Sequence, residues 1–242
     1  MTSAIELAKS DLAVANRILA HEGVMDAYGH VSVRHPERPD RFLLSRSLSP
    51  ALVEAEDIME FELDGTVVGD DPRPPYLERF IHGAIYAKRD DIVAAAHSHA
   101  SEVLPFTVSD APLRPAIHSS GVIGHEIPVW DIRDRFGDTN MLVVNDVQGS
   151  DLAERMGVCD VVLMRGHGFS AGARSLVELI RICVYLRVNA TVVTQASQLG
   201  AVTYLSEGEV ERIRDVRPDS PEVRRAWQYW ATRAGCAHLV RA

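Results

Sequence analysis

The sequence predicts an α/β protein in which a central set of strands is flanked by helices. Short runs of strand length with alternating or continuous apolar side chains recur at residues 25–34, 41–45, 57–68, 92–99 and 158–164. Apolar positions with a period near 3.6 residues predict amphipathic helices at residues 4–22, 76–88 and 175–199. With 242 residues and 46% hydrophobic content, the chain can bury a sizeable core as one large domain or two small ones.

The N-terminal third is predicted to form one helix followed by two hairpins. The first helix ends near Gly23, and the break at residues 36–40 separates the two strands of the first hairpin. A tight turn at residues 63–66 predicts the second hairpin. The proline-rich residues 70–75 then predict an irregular loop ahead of the helix at residues 76–88.

The second half is predicted to contain two further strands and two further helices. His118 falls in a candidate strand over residues 112–120, and residues 151–156 fit a short helix. Residues 158–164 are a continuous apolar run typical of a buried strand. The helix at residues 175–199 continues without proline or glycine until Gly200.

The last residues form a segment of different character. We divide the chain into a domain over residues 1–205 and a helical tail over residues 206–242. The tail contains Trp227, Tyr229 and Trp230, and exposed aromatic residues near a C-terminus are often buried by another subunit. We therefore expect the tail to pack on a neighbouring subunit.

Composition excludes several classes of function. The net charge of −9, with basic residues scattered along the chain, argues against nucleic acid as a partner. Three widely separated cysteines indicate neither a disulfide framework nor a thiolate metal site, which fits a cytoplasmic protein. No signal pattern and no run of 18 apolar residues occurs, so we expect neither secretion nor a membrane partner.

Three histidines carry the strongest chemical signal. His97 and His99 end an apolar strand at a spacing of two, which places both imidazoles on one face. His167 lies between two glycines at the end of another buried strand, where the backbone can approach a ligand closely. Three histidine ligands that leave a coordination position open are typical of a catalytic site for one divalent metal ion, such as Zn²⁺, Mn²⁺, Co²⁺ or Fe²⁺.

Polar groups elsewhere are candidates for a surrounding site. Glu78 lies near the start of a predicted helix, where it could be a fourth ligand, a general acid/base, or only an acid stabilised by the helix dipole. Arg46 and Ser47 lie in a polar loop that could hold an anionic group or form a solvated turn.

These motifs resemble the class II aldolase/adducin-head family over roughly residues 8–205. The resemblance rests on four motifs, in family order: Gly29-His30-Val31-Ser32 in place of the family's Gly-Asn-x-Ser, Glu78 ahead of its helix, His97-Ser98-His99, and Gly166-His167-Gly168. It implies a three-layer α/β/α sandwich with a mixed, largely antiparallel central sheet. It also implies metal ligation by the three histidines, a ligating or proton-moving role for Glu78, and a homotetramer with sites between subunits.

The departures from the family pattern point to a particular substrate class. Family aldolases grip a phosphate through motifs that here are replaced by Gly29-His30, Arg46-Ser47-Leu48 and Tyr76-Leu77. A phosphate dianion would lose donors, whereas a planar carboxylated ring could lie against Tyr76 and pair with Arg46. The pattern is similar to the branch that contains the decarboxylases of 3,4-dihydroxyphthalate and of 3-hydroxy-2-methylpyridine-4,5-dicarboxylate.

We therefore expect a metal-dependent lyase that removes a carboxyl group from a hydroxylated aromatic or pyridine carboxylate. Glu78 is the expected proton donor, and His30, Arg46, Ser47, Tyr76 and His118 are the expected substrate-binding residues. His30 or His118 could replace Glu78 as the donor. Three alternatives stay open: an aldolase or epimerase acting on an unphosphorylated hydroxy-carbonyl compound, a non-haem iron oxygenase, and a non-catalytic assembly module.

Overall fold

A computed structural model describes residues 2–215 and 220–240. In this part of the chain seven strands form one sheet, in the order β3-β2-β1-β4-β7-β6-β5. The strands are β1 (His30–Arg34), β2 (Arg41–Ser45), β3 (Ile58–Glu62), β4 (Ala94–Ser98), β5 (Val129–Trp130), β6 (Val161–Met164) and β7 (Gly168–Ala173). The α-helices are α1 (Ala4–His21), α2 (Arg79–Lys88), α3 (Leu104–Thr107), α4 (Arg133–Phe136), α5 (Asp146–Met156), α6 (Leu176–Leu199), α7 (Glu207–Arg214) and α8 (Pro221–Arg233).

The sheet separates two apolar cores. All neighbouring strands are antiparallel except β5 and β6, which are parallel. Helices α1, α6 and α8 cover one face, whereas α2 and α5 cover the other. Because side chains alternate between faces, the strands contribute to both cores. The predicted three-layer α/β/α sandwich with a mixed, largely antiparallel sheet is confirmed.

Strand β7 is a central strand that the sequence analysis missed. It reads Gly-Phe-Ser-Ala-Gly-Ala, a composition with low strand propensity, yet every residue in it is buried between β4 and β6. The small side chains are a packing requirement, because a Cβ on Gly168 would overlap the carbonyl oxygen of Ser98. Tertiary packing, and not local propensity, therefore determines this strand.

The predicted strand around His118 is wrong. His118–Ile123 form a 3-10 helix after an extended Ile117. The Ser120 hydroxyl donates to the Ile117 carbonyl at 2.7 Å and accepts from the Ile117 amide at 3.2 Å. A side chain that bonds the backbone three residues away favours a tight turn over strand pairing.

The long helix α6 begins as predicted. Its N-cap, Ser175, accepts a hydrogen bond from the Glu178 amide, and its apolar residues pack against α1 and the sheet. Among the described residues no helix combines the length and the apolar character needed to cross a membrane.

The C-terminal tail packs on its own chain in the described residues. Trp230 of α8 is buried against α1 and α6, with its ring 6.0 Å from that of Tyr185. Arg214 at the end of α7 pairs with the buried carboxylate of Asp160. Tyr229 stays 56% exposed, so the expectation that the tail contacts a neighbouring subunit stays a prediction for this residue.

Helices α2 and α5 approach each other closely through a glycine. A Cβ on Gly149 of α5 would lie 2.5 Å from the carbonyl oxygen of Phe80 and 3.1 Å from the Ala84 side chain. The backbone of α2 leaves no room for a side chain at this position. The contact matters for the site described below, because Glu78 immediately precedes α2.

We predict that Gly149→Ala lowers the free energy of unfolding by about 1–3 kcal/mol, the usual cost of overpacking. Gly208→Ala in α7 is the matched control, because nothing lies within 4 Å of a Cβ there. Alanine in that exposed helix should raise stability by about 0.5–1 kcal/mol. Urea denaturation monitored by circular dichroism measures both, and equal effects would contradict the packing argument.

Candidate metal centre

Strand register places the site on the α2 face of the sheet. His30 of β1 lies directly opposite His97 of β4, and His97 lies opposite Ser170 of β7. Ser32 and Ala95 form the next pair on the same face, because side chains two residues apart share a face. The sheet thus brings one imidazole from β1 next to another from β4 without any contribution from a loop.

Four potential ligands converge at the ends of these elements. Glu78, His97, His99 and His167 each offer one ligand atom, and these atoms all lie within 4.8 Å of one another. The Nε2 atoms of His97 and His99 are 2.9 Å apart. Glu78 Oε2 lies 3.5 Å from His97 Nε2 and 3.6 Å from His167 Nε2. The structure therefore brings together the three predicted ligands and the predicted acid.

Backbone carbonyls orient two of the imidazoles for a cation. His97 Nδ1 lies 3.1 Å from the Phe169 carbonyl oxygen, and His167 Nδ1 lies 3.0 Å from that of Met141. A carbonyl only accepts, so each Nδ1 is protonated and each Nε2 directs a lone pair into the cluster. Lone pairs this close repel unless a positive charge lies between them, and the donor set therefore fits a divalent metal ion.

Burial keeps these imidazoles neutral, as metal ligation requires. Burial lowers the pKa of His167 to about 4, with a smaller contribution from the neighbouring His99. Burial also lowers the pKa of His97 and of His99. The cluster can therefore accept a metal ion near neutral pH without releasing protons from its histidines.

Glu78 is held by a different arrangement from the helix-end acid that one sequence interpretation suggested. It occupies the N-cap position of α2, but its side chain makes no capping hydrogen bond. Instead Oε1 accepts a hydrogen bond from the Val143 amide at 3.0 Å, and Oε2 faces the histidines. Burial raises the pKa of Glu78 to about 7, so the carboxyl group can hold or release a proton near neutrality.

A cavity of about 380 Å³ opens beside the cluster. Glu78, His99 and His30 form the part of its wall nearest the cluster. The remaining wall is mainly aromatic, apolar and hydroxyl-bearing, and it consists of Ala27, Tyr28, Gly29, Ser47, Leu48, Ser49, Tyr76, Leu77 and Leu142. Among these residues there is no lysine and no arginine. The volume suits a small single-ring molecule.

Two predicted binding residues are placed away from this wall. The Arg46 guanidinium donates to Asp57 at 2.7 Å and does not line the cavity, although the neighbouring Ser47 does. His118 lines a separate cavity with residues of α6 and α8, such as Arg181 and Tyr229. The described chain does not bring His118 to the metal centre.

Three polar residues beneath the cavity had no predicted role. His82, Ser32 and Tyr86 continue inward from His30 as a chain of short hydrogen bonds, and all three side chains are fully buried. One signal was available, because Glu78, His82 and Tyr86 are spaced at successive intervals of four and so share one stripe of α2.

Two characterised relatives match this chain over most of their length. Decarboxylase tropJ of Talaromyces stipitatus is 35% identical over 237 residues, which cover 88% of each chain. The 3,4-dihydroxyphthalate decarboxylase of Arthrobacter keyseri is 27% identical over 248 residues, which cover 95% of each. These relatives confirm the resemblance to the decarboxylase branch and the expectation of a lyase.

Fold and family comparisons agree with this. An aldolase II superfamily protein from Pseudomonas syringae superposes with a TM-score of 0.79 at 22% identity, covering 98% of this chain and 97% of the other, which supports the fold. The family model described as class II aldolase and adducin N-terminal domain matches residues 10–194. This chain belongs to the class II aldolase and adducin N-terminal domain family.

Proposed function

We propose that this protein is a divalent-metal-dependent, non-oxidative decarboxylase of a hydroxylated aromatic or pyridine carboxylate. The observation that carries the proposal is the cavity against the histidine cluster, whose wall offers rings, aliphatic groups and hydroxyls but no lysine and no arginine. The names of the two relatives support the same class of reaction.

The cavity wall favours a planar carboxylated ring over a sugar phosphate. Tyr76 and Leu77 stand where family aldolases have small hydroxyl residues, and the Tyr76 hydroxyl is already donated to the Leu48 carbonyl oxygen. The ring face of Tyr76 is therefore the part available to a substrate. A phosphate dianion would meet the hydroxyls of Ser47 and Ser49 on this wall but no lysine or arginine that could neutralise its charge.

His97, His99 and His167 would hold the metal ion, with Glu78 as a fourth ligand or as the adjacent acid. The ion, when bound, supplies Lewis acidity towards the ring hydroxyl and an adjacent carboxylate of the substrate. We propose one ion per subunit, of zinc, manganese, cobalt or iron. The neutral state of the three histidines suits any of these metals.

Glu78 is the proposed proton donor. When the carbon–carbon bond to the carboxylate breaks, carbon dioxide leaves and the electron pair stays on the ring carbon. Protonated Glu78 supplies the proton that this carbon needs, and the resulting carboxylate is reprotonated from solvent. The hydrogen bond from the Val143 amide to Oε1 fixes the carboxyl group, so Oε2 carries the transferred proton.

The remaining sequence predictions complete the proposal. His30, Ser47 and Tyr76 would contact the substrate, because all three line the cavity. Arg46, paired with Asp57, stays a prediction for orienting a second carboxylate, and His118 stays a prediction for substrate binding. We further propose a cytoplasmic homotetramer with sites at subunit interfaces. Tyr28 and Leu77 at the cavity are 69% and 63% exposed, as expected if a neighbour covers them.

The first test is carbon dioxide release from a panel of ortho-hydroxylated aromatic and pyridine carboxylates. The protein would be stripped with a chelator and reloaded separately with Mn²⁺, Zn²⁺, Co²⁺ or Fe²⁺. We expect release that depends on the metal and on the hydroxyl next to the carboxylate. Aldehyde and ketone products from an unphosphorylated hydroxy-carbonyl compound would indicate an aldolase instead, and consumption of oxygen would indicate an oxygenase.

We predict that Glu78→Gln lowers kcat by a factor of about 100 to 10,000, the usual contribution of a general acid, while the bound metal content stays largely intact. Glu211→Gln, an exposed acid of α7, is the matched control and should leave turnover unchanged. Turnover and metal content, the latter by atomic emission, are measured on the same samples. Unchanged turnover in Glu78→Gln would refute the role of this residue.

Metal binding distinguishes the two roles proposed for Glu78, whose pKa is about 7 before metal binds. As a fourth ligand Glu78 should release nearly one proton at about pH 6 and about a tenth of a proton at about pH 8, whereas as the proton donor it should keep its proton. Calorimetric titration with Zn²⁺ in buffers of different ionisation enthalpy measures this number. Any proton release from Glu78 at about pH 6 should be absent in Glu78→Gln. Proton release that persists in this variant would come from another group.

A further inference from the structure

A buried chain of four side chains connects the cavity to the interior. His30 Nδ1 lies 2.6 Å from His82 Nε2, and His82 Nδ1 lies 2.6 Å from the Ser32 hydroxyl oxygen. The Ser32 oxygen lies 2.7 Å from the Tyr86 hydroxyl. His82, Ser32 and Tyr86 are fully buried, and His30 is only 4% exposed. Each link is short, so each must contain one proton.

Tyr86, at the buried end of this hydrogen-bond chain, determines which group donates in each of its hydrogen bonds. Tyr86 is buried, and within the described residues Ser32 is the one hydrogen-bond acceptor recorded for its hydroxyl. If Ser32 donated to Tyr86, the tyrosine proton would have no acceptor, which costs about 1–3 kcal/mol in a buried site. Tyr86 therefore donates to Ser32, and Ser32 has its own single proton left for His82 Nδ1.

The order of donors and acceptors continues outward to the cavity. His82 accepts at Nδ1, so as a neutral imidazole it carries its proton on Nε2 and donates it to His30 Nδ1. His30 then accepts at Nδ1 and carries its own proton on Nε2. His30 lines the cavity, and Nε2 is the ring nitrogen left for a ligand there.

We infer that His82, Ser32 and Tyr86 are positioning residues that fix His30 as a neutral Nε2–H donor facing the cavity. The ligand atom opposite His30 must then be an acceptor, such as a carboxylate or phenolate oxygen of the substrate. This choice of ligand atom rests on the proposed function, whereas the tautomer does not. His30 therefore binds an anionic oxygen, and the proton for the ring carbon comes from Glu78.

Packing also fixes the orientation of the His30 and His82 rings. The His30 ring lies 4.6 Å from the Tyr76 ring and 5.2 Å from the His97 ring, measured between centroids. His82 stacks on Phe42 at 6.3 Å with an interplanar angle of 20°. The hydrogen-bond chain also connects helix α2 to the sheet. His82 and Tyr86 belong to α2, whereas His30 and Ser32 belong to β1.

The test is nitrogen-15 magic-angle-spinning NMR of protein labelled selectively at histidine, both metal-free and loaded with Zn²⁺. Signals are assigned from His30→Asn and His82→Asn samples. We expect both His30 and His82 to carry the proton on Nε2, with a strongly deshielded proton between them. A His30 signal with its proton on Nδ1, or with both nitrogens protonated, would overturn the inference whatever the activity.

A variant at the middle of the chain gives a second readout. Ser32→Ala removes the donor to His82 Nδ1, so we expect a mixture of tautomers at His30 and a fall in kcat of about tenfold at unchanged metal content. Ser32→Thr keeps the hydroxyl and should restore a single tautomer. Ser120 is an equally buried serine outside this hydrogen-bond chain. Ser120→Ala is therefore the control and should change neither the His30 tautomer nor kcat.

The two proposals fail in different ways. If the wild-type spectra show the expected tautomers but no carboxylate in the panel is consumed, the proposed function fails and the positioning role stands. If Ser32→Ala keeps a single Nε2–H tautomer at His30, the hydrogen-bond chain does not set it and the inference is wrong. The assigned wild-type spectra decide the question even if Ser32→Ala does not fold.

Discussion

The close approach of β7 to the end of β4 is the constraint on which the site depends. A side chain on Gly168 would overlap the Ser98 carbonyl oxygen, so a glycine must follow His167 for β7 to pair there. His99 immediately follows β4 and His167 immediately precedes β7, which brings their rings to 4.9 Å between centroids. The positions of the candidate histidine ligands are therefore set by strand pairing, within one residue of a strand end, and not by the course of a free loop.

Helix α2 is the second fixed support. Its sheet-facing stripe carries Glu78, His82 and Tyr86, and burying three polar groups is unfavourable unless each finds a partner. Each does: the Val143 amide binds Glu78, and the side chains of His30 and Ser32 take up the other two. Sliding or rotating the helix would break all of these hydrogen bonds together. The polar stripe therefore specifies one position and one rotation of α2 on the sheet, and with them the distance from Glu78 to the histidines.

Local sequence signals predicted the parts of the site that are local. The His97–His99 spacing and the glycines around His167 predicted ligands that the structure brings together. Strand β7 could not be predicted in the same way, because its small residues answer a packing demand made by β4 and β6, which are distant in sequence. Arg46 looked free in the sequence, but Asp57, eleven residues later, engages it. Such partners become visible only once the hairpin has formed.

Charge links substrate recognition to the reaction centre. Neutral histidines and a carboxyl group with a pKa of about 7 give the cluster little net charge, and no lysine or arginine lines the adjacent cavity. In the proposed reaction, the compensating positive charge for a substrate anion would come from a metal ion held by the histidines next to Glu78. A carboxylate bound to that ion would lie, with the carbon that carries it, next to Glu78, the proposed proton donor. A phosphate at the far end of a longer substrate would gain nothing from this arrangement, so the proposed electrostatics would favour a ring carboxylate over a sugar phosphate.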